Sequence, residues 1–238
     1  MLILTNDDGI DAPGLQTLIQ AVNKHDSIHP PLIVAPQKEW SGCGHQVTTQ
    51  HPIQISHRSS HASAITGTPA DCVRIALHHF LGISTQHSQL SQSHWVISGV
   101  NYGGNLGADI YISGTVAAAR EAAFHGIPSM AISQYRKGNQ PINWEYTQLL
   151  TQQVLTELLR QPPQPGSFWN VNLPYLTPND PKPTIIFCQP CPCPLPVAYH
   201  QEGDSFSYIG DYGKRDRTPG SDVEVCFSGQ IAVSQIFI

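Results

Sequence analysis

The chain has 238 residues, 40% of them hydrophobic and only 12% charged, with a formal net charge of −5. That length can bury a full core as one large domain or two small ones. The acidic balance, with no basic cluster longer than Gly-Lys-Arg-Asp-Arg at 213–217, argues against a binder of nucleic-acid polymers. No run approaches the roughly 20 apolar residues of a membrane span. The start, MLILTNDDG, has no basic segment and reaches two acids too early for a signal peptide. A soluble, cytoplasmic protein with no membrane partner is expected.

Residues 2–5 are a short apolar run suited to a buried strand. In APGLQTLIQAVNK that follows, Leu15, Leu18, Ile19 and Val22 fall at helical spacing and Pro13 sits near the first turn. PLIVAP at 31–36 is a second buried strand, completing a β-α-β unit of the kind that builds parallel sheets with right-handed crossovers. A Gly- and Ser-rich loop comes next. The pair His57 and His61 then lies in a Ser-rich stretch without helical pattern and reads as solvated surface. Residues 67–81 predict a helix with Thr68 as cap, Pro69 in the first position, and Val73, Ala76, Leu77 and Phe80 on one face.

WVISG at 95–99 reads as a strand entering a glycine loop, 113–126 as an Ala-rich helix ended by Gly126, and 127–133 as another buried strand. A leucine-bearing helix is expected over 144–160. The alternation predicts an α/β fold, a Rossmann-like, doubly wound, mostly parallel sheet. After QPPQPG at 161–166 the pieces FWNVNLP, TIIFC, DVEVCF and IAVSQIFI read as strands without intervening helices. We therefore divide the chain into an α/β catalytic core, 1–174, and a β-rich C-terminal extension, 175–238, suited to subunit contacts. Cys188, Cys191 and Cys193 in FCQPCPCP are close enough for zinc ligation but lack an evident fourth ligand, the alternative being a proline-stiffened loop of reduced thiols.

In open α/β sheets, ligands bind beyond the carboxyl ends of the strands. Three glycine-marked loops fall there: NDDG after the first strand, EWSGCG after the second, and SGVNYGGNLGADIYISGT after the strand at 95–98. Asp7 and Asp8 stand where the first strand ends and Gly9 lets the chain bend, so their carboxylates need not diverge. Two hard oxygen anions on one centre repel unless a cation lies between them, which points to Mg²⁺ or Mn²⁺. The helix opening at Ser113, Gly114 and Thr115 offers amides and a positive dipole end suited to phosphate.

The blocks LTNDDGIDAPG, VAP followed by SGCG and VT, GTPADCVRIAL, SGVNYGGNLGADIYISGTVAAAREAAFHGIPSMAIS and NVNLP occur in the order that resembles the stationary-phase survival protein family, SurE. The match spans about 2–174 and resumes at 220–234. The resemblance implies a divalent-metal-dependent phosphomonoesterase acting on nucleoside 5′- and 3′-monophosphates. It also implies one metal ion per subunit on Asp7, Asp8, Ser41 and Asn101, and phosphate contacts from Asn6, Gly42, Ser113, Gly114 and Thr115. Homodimers or homotetramers are implied as well. The chain departs from the family in PQKEW at 36–40, where many relatives carry an acid directly after the proline. QPCPCPLP matches nothing in the family, and relatives commonly continue past the position of Ile238.

Asp7 and Asp8 are the expected catalytic residues, metal activating a water and no phosphoenzyme forming; which of them acts as base and which as ligand stays open. Tyr102, Tyr111 and Trp40 are candidates for stacking on a base. Two rivals stand beside this reading. One is an aspartyl-phosphate phosphatase, whose motif spaces its aspartates by one residue. The other is a non-catalytic nucleotide-binding module, although GVNYGGNLG has neither the dinucleotide fingerprint nor the Walker lysine. A relic that has lost turnover through its altered 36–40 loop is a further outcome.

Overall fold

In the computed structural model, residues 1–25, 29–83, 94–177 and 179–238 are described. Nine strands form one sheet. In chain order they are β1 (Leu2–Thr5), β2 (Leu32–Pro36), β3 (Ile55–His57), β4 (Ala62–Ile65), β5 (Trp95–Tyr102), β6 (Ser129–Gln134), β7 (Ser167–Leu173), β8 (Ile185–Phe187) and, last, β11 (Ile231–Phe237). A separate two-stranded hairpin pairs β9 (Tyr199–Glu202) with β10 (Ser205–Tyr208), antiparallel and exposed along its whole length. Across the main sheet the order is β3-β4-β2-β1-β5-β6-β7-β11-β8. The six strands from β4 to β7 are parallel, and β3 and β11 run antiparallel to their neighbours β4 and β7.

Helices cover both faces. Successive strand residues point to opposite sides, so Leu4 and Ile97 pack with Leu15, Leu18 and Val22 of α1 (Pro13–His25) and with Leu150, Val154 and Leu158 of α4 (Trp144–Leu158). Ile3, Val34 and Val96 face the other way, onto Val73 of α2 (Pro69–Ile75) and Ala118 and Ala122 of α3 (Gly114–Phe124). The α2 start is fixed as expected: the Thr68 hydroxyl accepts from the Asp71 amide at 3.2 Å while the Asp71 carboxylate accepts from the Thr68 amide at 2.9 Å. The Ala-rich α3 lies buried against the sheet because small side chains let its backbone come close.

The stretch after the parallel core divides in two: β8 and β11 extend the main sheet, and β9–β10 form the exposed hairpin. Two expectations are corrected. DVEVCF is not a strand but a helix, α5 (Asp222–Phe227). The alternation Val223-Glu224-Val225 imitates a strand, yet the buried Asp222 carboxylate accepts from the Val223 amide at 2.8 Å, and from Gly107 and Cys191, fixing a helix start. The Ser-rich stretch around His57 and His61 is exposed as expected, but it also holds the β3–β4 edge hairpin. All six cysteines are free. Cys191 and Cys193 Sγ lie 3.7 and 3.6 Å from the Thr218 hydroxyl, and no group of three His, Cys, Asp or Glu among the described residues is placed to hold an ion.

Candidate active site

The connections after β1 run toward β2 and β4 on one side of the sheet, and those after β5 toward β6 and β7 on the other. A crevice therefore opens between the carboxyl ends of β1 and β5, where the strand order reverses. Asp7 and Asp8 leave β1 on one side of it, and Asn101 sits near the end of β5 on the other. Register between β5 and β6 shifts between Ser98 and Asn101, and the Gly99–Val100 peptide there is cis.

Backbone bonds hold the loops together. Ile10 donates to the Pro36 carbonyl at 2.8 Å and Trp40 to the Asp7 carbonyl at 2.8 Å, tying the loop after β1 to the one after β2. Asn6 Nδ2 closes its own turn onto the Gly9 carbonyl at 2.8 Å. Gly9 has φ +103°, a conformation that favours glycine, as the chain passes the Lys38 backbone. Gly44 donates to the Ile112 carbonyl at 2.9 Å, so the Ser41–Gly44 loop is seated on the segment that enters α3.

At this crevice Thr115 touches Asp7 by its side chain and the Tyr102 amide ties Asp8 to the end of β5, while Asn101 and Ser41 each bond within their own loop. Asp7 is buried, and its carboxylate accepts a short hydrogen bond from the Thr115 hydroxyl. Burial and then the negative charge of Asp8 raise the Asp7 carboxyl to about 6, against the pull of the Thr115 hydroxyl and the Asp7 and Thr115 amides. Burial also raises Asp8, whose Oδ2 accepts from the Tyr102 amide at 3.0 Å. Asn101 donates through Nδ2 to the Gly103 carbonyl at 2.8 Å, which keeps Oδ1 as its remaining oxygen. Ser41 is exposed and donates to Glu39 Oε1 at 2.6 Å.

The phosphate candidates lie around them. Ser113 caps α3, its hydroxyl accepting from the Val116 amide at 3.1 Å. A Cβ at Gly114 would lie 2.9 Å from Asp7 Cβ and 3.0 Å from Cys43 Sγ, so only glycine lets the α3 N-terminus approach the carboxylates this closely. Gly42, at φ +73°, has open space in front of it. Asn6 is fully buried and its Oδ1 has no hydrogen-bond partner. The three aromatic candidates differ in setting: Tyr111 is 78% exposed, Tyr102 lies under Arg136, and Trp40 carries the Lys38 ammonium 5.2 Å from its ring centroid.

The donor set fits a hard divalent cation. Two adjacent carboxylates are raised by burial, neither has an ion pair among the described residues, and the remaining candidate donors, Ser41 and Asn101, are oxygen donors. A thiolate role is disfavoured: burial and the Asp7 charge push the Cys43 thiol up to about 11.

Sequence reasoning missed the clamp behind the site. Glu121 of α3, 8% exposed, accepts from His45 Nε2 at 2.8 Å and His125 Nε2 at 3.1 Å, and Arg74 Nε stands 3.7 Å away. His45 directly follows the Ser41–Gly44 loop, so α3 holds that loop by a side-chain contact as well as by backbone. Only the i, i+4 spacing of Glu121 and His125 was visible in the sequence.

Comparison with known proteins gives one consistent result. The family model for the survival protein SurE matches residues 2–191. A protein of Nostoc sp. (strain PCC 7120), whose name assigns it provisionally to the 5′-nucleotidases, is 56% identical over 99% of this chain and 98% of its own. The 5′-nucleotidase SurE of Xylella fastidiosa (strain 9a5c) is 31% identical over 100% of this chain and 89% of its own. The crystal structure of the SurE protein from Aquifex aeolicus superposes with a TM-score of 0.83 at 27% identity, covering 99% of this chain and 92% of that one.

Proposed function

The chain belongs to the SurE family, and we infer that it is a 5′-nucleotidase, a metal-dependent phosphomonoesterase that converts nucleoside 5′- and 3′-monophosphates to nucleoside and phosphate. The observation that carries the reading is the meeting of Asp7, Asp8 and the α3 N-terminus in the β1/β5 crevice, with Gly114 required for the approach.

Asp7, Asp8, Asn101 and Ser41 would hold one Mg²⁺ or Mn²⁺. Bound there, the ion supplies Lewis-acid polarisation of a phosphoryl oxygen and lowers the pKa of a water. The chain's own part is positioning and charge. Ser113, Gly114 and Thr115 set a helix dipole and amides against the phosphoryl oxygens, Gly42 leaves room beside them, and Asn6, whose Nδ2 is taken by the Gly9 carbonyl, shapes the turn that carries the carboxylates. The Thr115 hydroxyl fixes the rotamer of Asp7. The Tyr102 amide fixes that of Asp8, leaving its other oxygen for the ion or for the proton of the attacking water. Direct attack by water needs no phosphoenzyme, and the protonated Cys43 offers no rival nucleophile.

A cytoplasmic homodimer or homotetramer is part of the same reading. Six free cysteines suit a reducing compartment, and the exposed Phe206, Tyr208 and Ile209 of the hairpin region suit contact with another subunit. Among the described residues no helix is long and apolar enough to cross a membrane.

The test is phosphate release from a panel of 5′- and 3′-nucleoside monophosphates with Mg²⁺, with Mn²⁺ and with chelator, beside Asp8→Asn. Metal-dependent release lost in the variant is the expected result. Folded protein that binds nucleotide but releases nothing with either metal would make it a binding module instead. Labelled phosphate trapped on Asp7 or Asp8 after an acid quench would overturn direct water attack.

A further inference from the structure

A cavity of about 790 Å³ opens between the 102–104 loop, the 135–139 turn and the 210–217 segment. It begins at the site itself. The Tyr102 amide donates to Asp8 Oδ2 at 3.0 Å, and Arg136 Nη1 donates to the Tyr102 phenol at 2.9 Å. A single tyrosine therefore links the carboxylate pair to the first cation of the cavity.

The lining carries positive charge, of which Lys137 also acts on the exposed Asp180 carboxylate from beyond ion-pair distance. Arg136, Lys137 and Arg217 all border the cavity, and none has a carboxylate within ion-pair distance among the described residues. The acid of the lining, Asp211, is taken up by Lys214 at 3.2 Å. In a chain of net charge −5, three cations without an ion pair among the described residues form a local anion-attracting field around one cavity. The Tyr102, Tyr135 and Phe227 rings of the lining are already engaged. The Arg136 guanidinium lies 4.7 Å from the Tyr102 ring centroid and that of Arg217 lies 4.9 Å from Phe227, on which Tyr135 also stacks at 4.5 Å. Rings so occupied fix the guanidiniums and leave N–H donors, rather than bare aromatic faces, for a ligand. Planar forks of donors beside an ammonium match the oxygens of a phosphate.

We propose that this cavity binds a second phosphate of the substrate, making nucleoside 3′,5′-bisphosphates preferred over monophosphates. The proposal rests on the phosphatase reading above. One phosphate lies at Asp7 and Asp8, and the other is held by Arg136, Lys137 and Arg217. Water supplies the oxygen of the new P–O bond, the ester P–O bond breaks, and the leaving alkoxide takes the proton. The products are a nucleoside monophosphate and inorganic phosphate.

The test compares kcat/KM for adenosine 3′,5′-bisphosphate and for adenosine 5′-monophosphate, in the wild type, Arg217→Gln, Lys137→Gln and Lys214→Gln. The expected preference for the bisphosphate is about tenfold, the order that one hydrogen bond to a charged group supplies. It shrinks toward unity in Arg217→Gln and Lys137→Gln and falls part of the way in Lys214→Gln, which releases Asp211 into the lining. Calorimetric binding of the same two ligands, with chelator present, gives the parallel readout without turnover. Equal kcat/KM and equal affinity for the two nucleotides would overturn the second-phosphate site while leaving the nucleotidase reading intact. No turnover of either, with a tenfold binding preference that Arg217→Gln removes, would sink the nucleotidase reading and keep the site. Inorganic triphosphate serves as a third ligand. If it competes in an Arg217-dependent manner while the bisphosphate shows no preference, the cavity takes a phosphate chain and the bisphosphate assignment is wrong.

Discussion

Gly14→Ala sets helix propensity against packing at a point that bears on the site. Gly14 is the second residue of α1 and does not adopt a positive φ, so alanine suits its backbone and helix propensity alone favours the change by up to about 1 kcal/mol. The packing argues the reverse. A Cβ there would lie 2.9 Å from the Val100 carbonyl carbon, nearer still to its oxygen, and 3.3 Å from the Trp144 ring. Backbone cannot rotate out of the way as a side chain can, so α1 must move off β5 by roughly an ångström to reach ordinary contact. Overpacking of this kind costs about 1–3 kcal/mol, and a rigid backbone partner puts it at the upper end. After the propensity gain, the net loss is about 2 kcal/mol. For a chain of this length that lowers Tm by about 4–8 °C. Val100 directly precedes Asn101, so the same displacement should raise the metal concentration needed for half-maximal phosphate release. Thermal melts in chelator, with Asn23→Ala on the exposed face of the same helix as reference, isolate the stability effect. A Gly14→Ala protein melting at or above the wild type would refute the claim that this approach is tight.

Asp7→Asn should stabilise the metal-free protein. A carboxyl at about 6 when folded and 3.8 when unfolded costs stability as pH rises between those values, about 3 kcal/mol in full by pH 8, and asparagine can still accept from Thr115. Melts at pH 8 in chelator should rank the variant above wild type, and excess Mg²⁺ should reverse the order. Glu121 acts with the opposite sign. Burial alone would raise its carboxyl, but the hydrogen bonds and charge of His125 and His45 hold it at about 2, below its usual 4.5. Its contribution is therefore present above pH 4.5 and lost as pH falls toward 2. With histidine side chains 23% and 24% exposed, screening leaves about 1–2 kcal/mol, and urea titrations of Glu121→Gln should show a flatter pH dependence across that window. Arg215, with a fully buried side chain, donates to Asp109 Oδ2 at 2.8 Å. Arg215→Met leaves that carboxylate without its cation, with only the Tyr212 hydroxyl and the Leu106 amide donating to it, and should cost about 3 kcal/mol in urea, part of it recovered by adding Asp109→Asn.

The regular core was legible because its signals are local. Spacing marked α1, and Thr68-Pro69 marked the start of α2. Apolar runs marked β1, β2 and β6, since strands buried on both faces need no alternation. Short edge strands carry no such imprint: β3 is three residues, with Ser and His on its surface, and the β9–β10 hairpin is exposed throughout. In α5 the reading failed because Asp222 is claimed by amides from distant segments, a tertiary demand that outweighs β-branched alternation. At the site, Asp7 and Asp8 with Gly9 announced themselves as adjacent carboxylates at a strand end. The contact of Thr115 with Asp7, the clearance at Gly114 and the hold of Glu121 on His45 arise only when α3 and the first two loops are brought together. No spacing within one segment encodes them.

The position of β11 also fixes an order of events. β8 reaches the sheet only through β11, which is inserted between it and β7. β8 therefore has no partner in the main sheet when it leaves the ribosome, and β7, buried on both faces in the finished molecule, stays an open edge until β11 is made. At about 5–20 residues per second, that interval lasts on the order of several seconds. During it the parallel core presents an apolar, unpaired strand of the kind that recruits other chains. The vulnerable phase of this protein's life is thus late in its synthesis. Substitutions that slow the arrival or docking of β11 should reduce soluble yield more than they reduce the stability of the protein that survives.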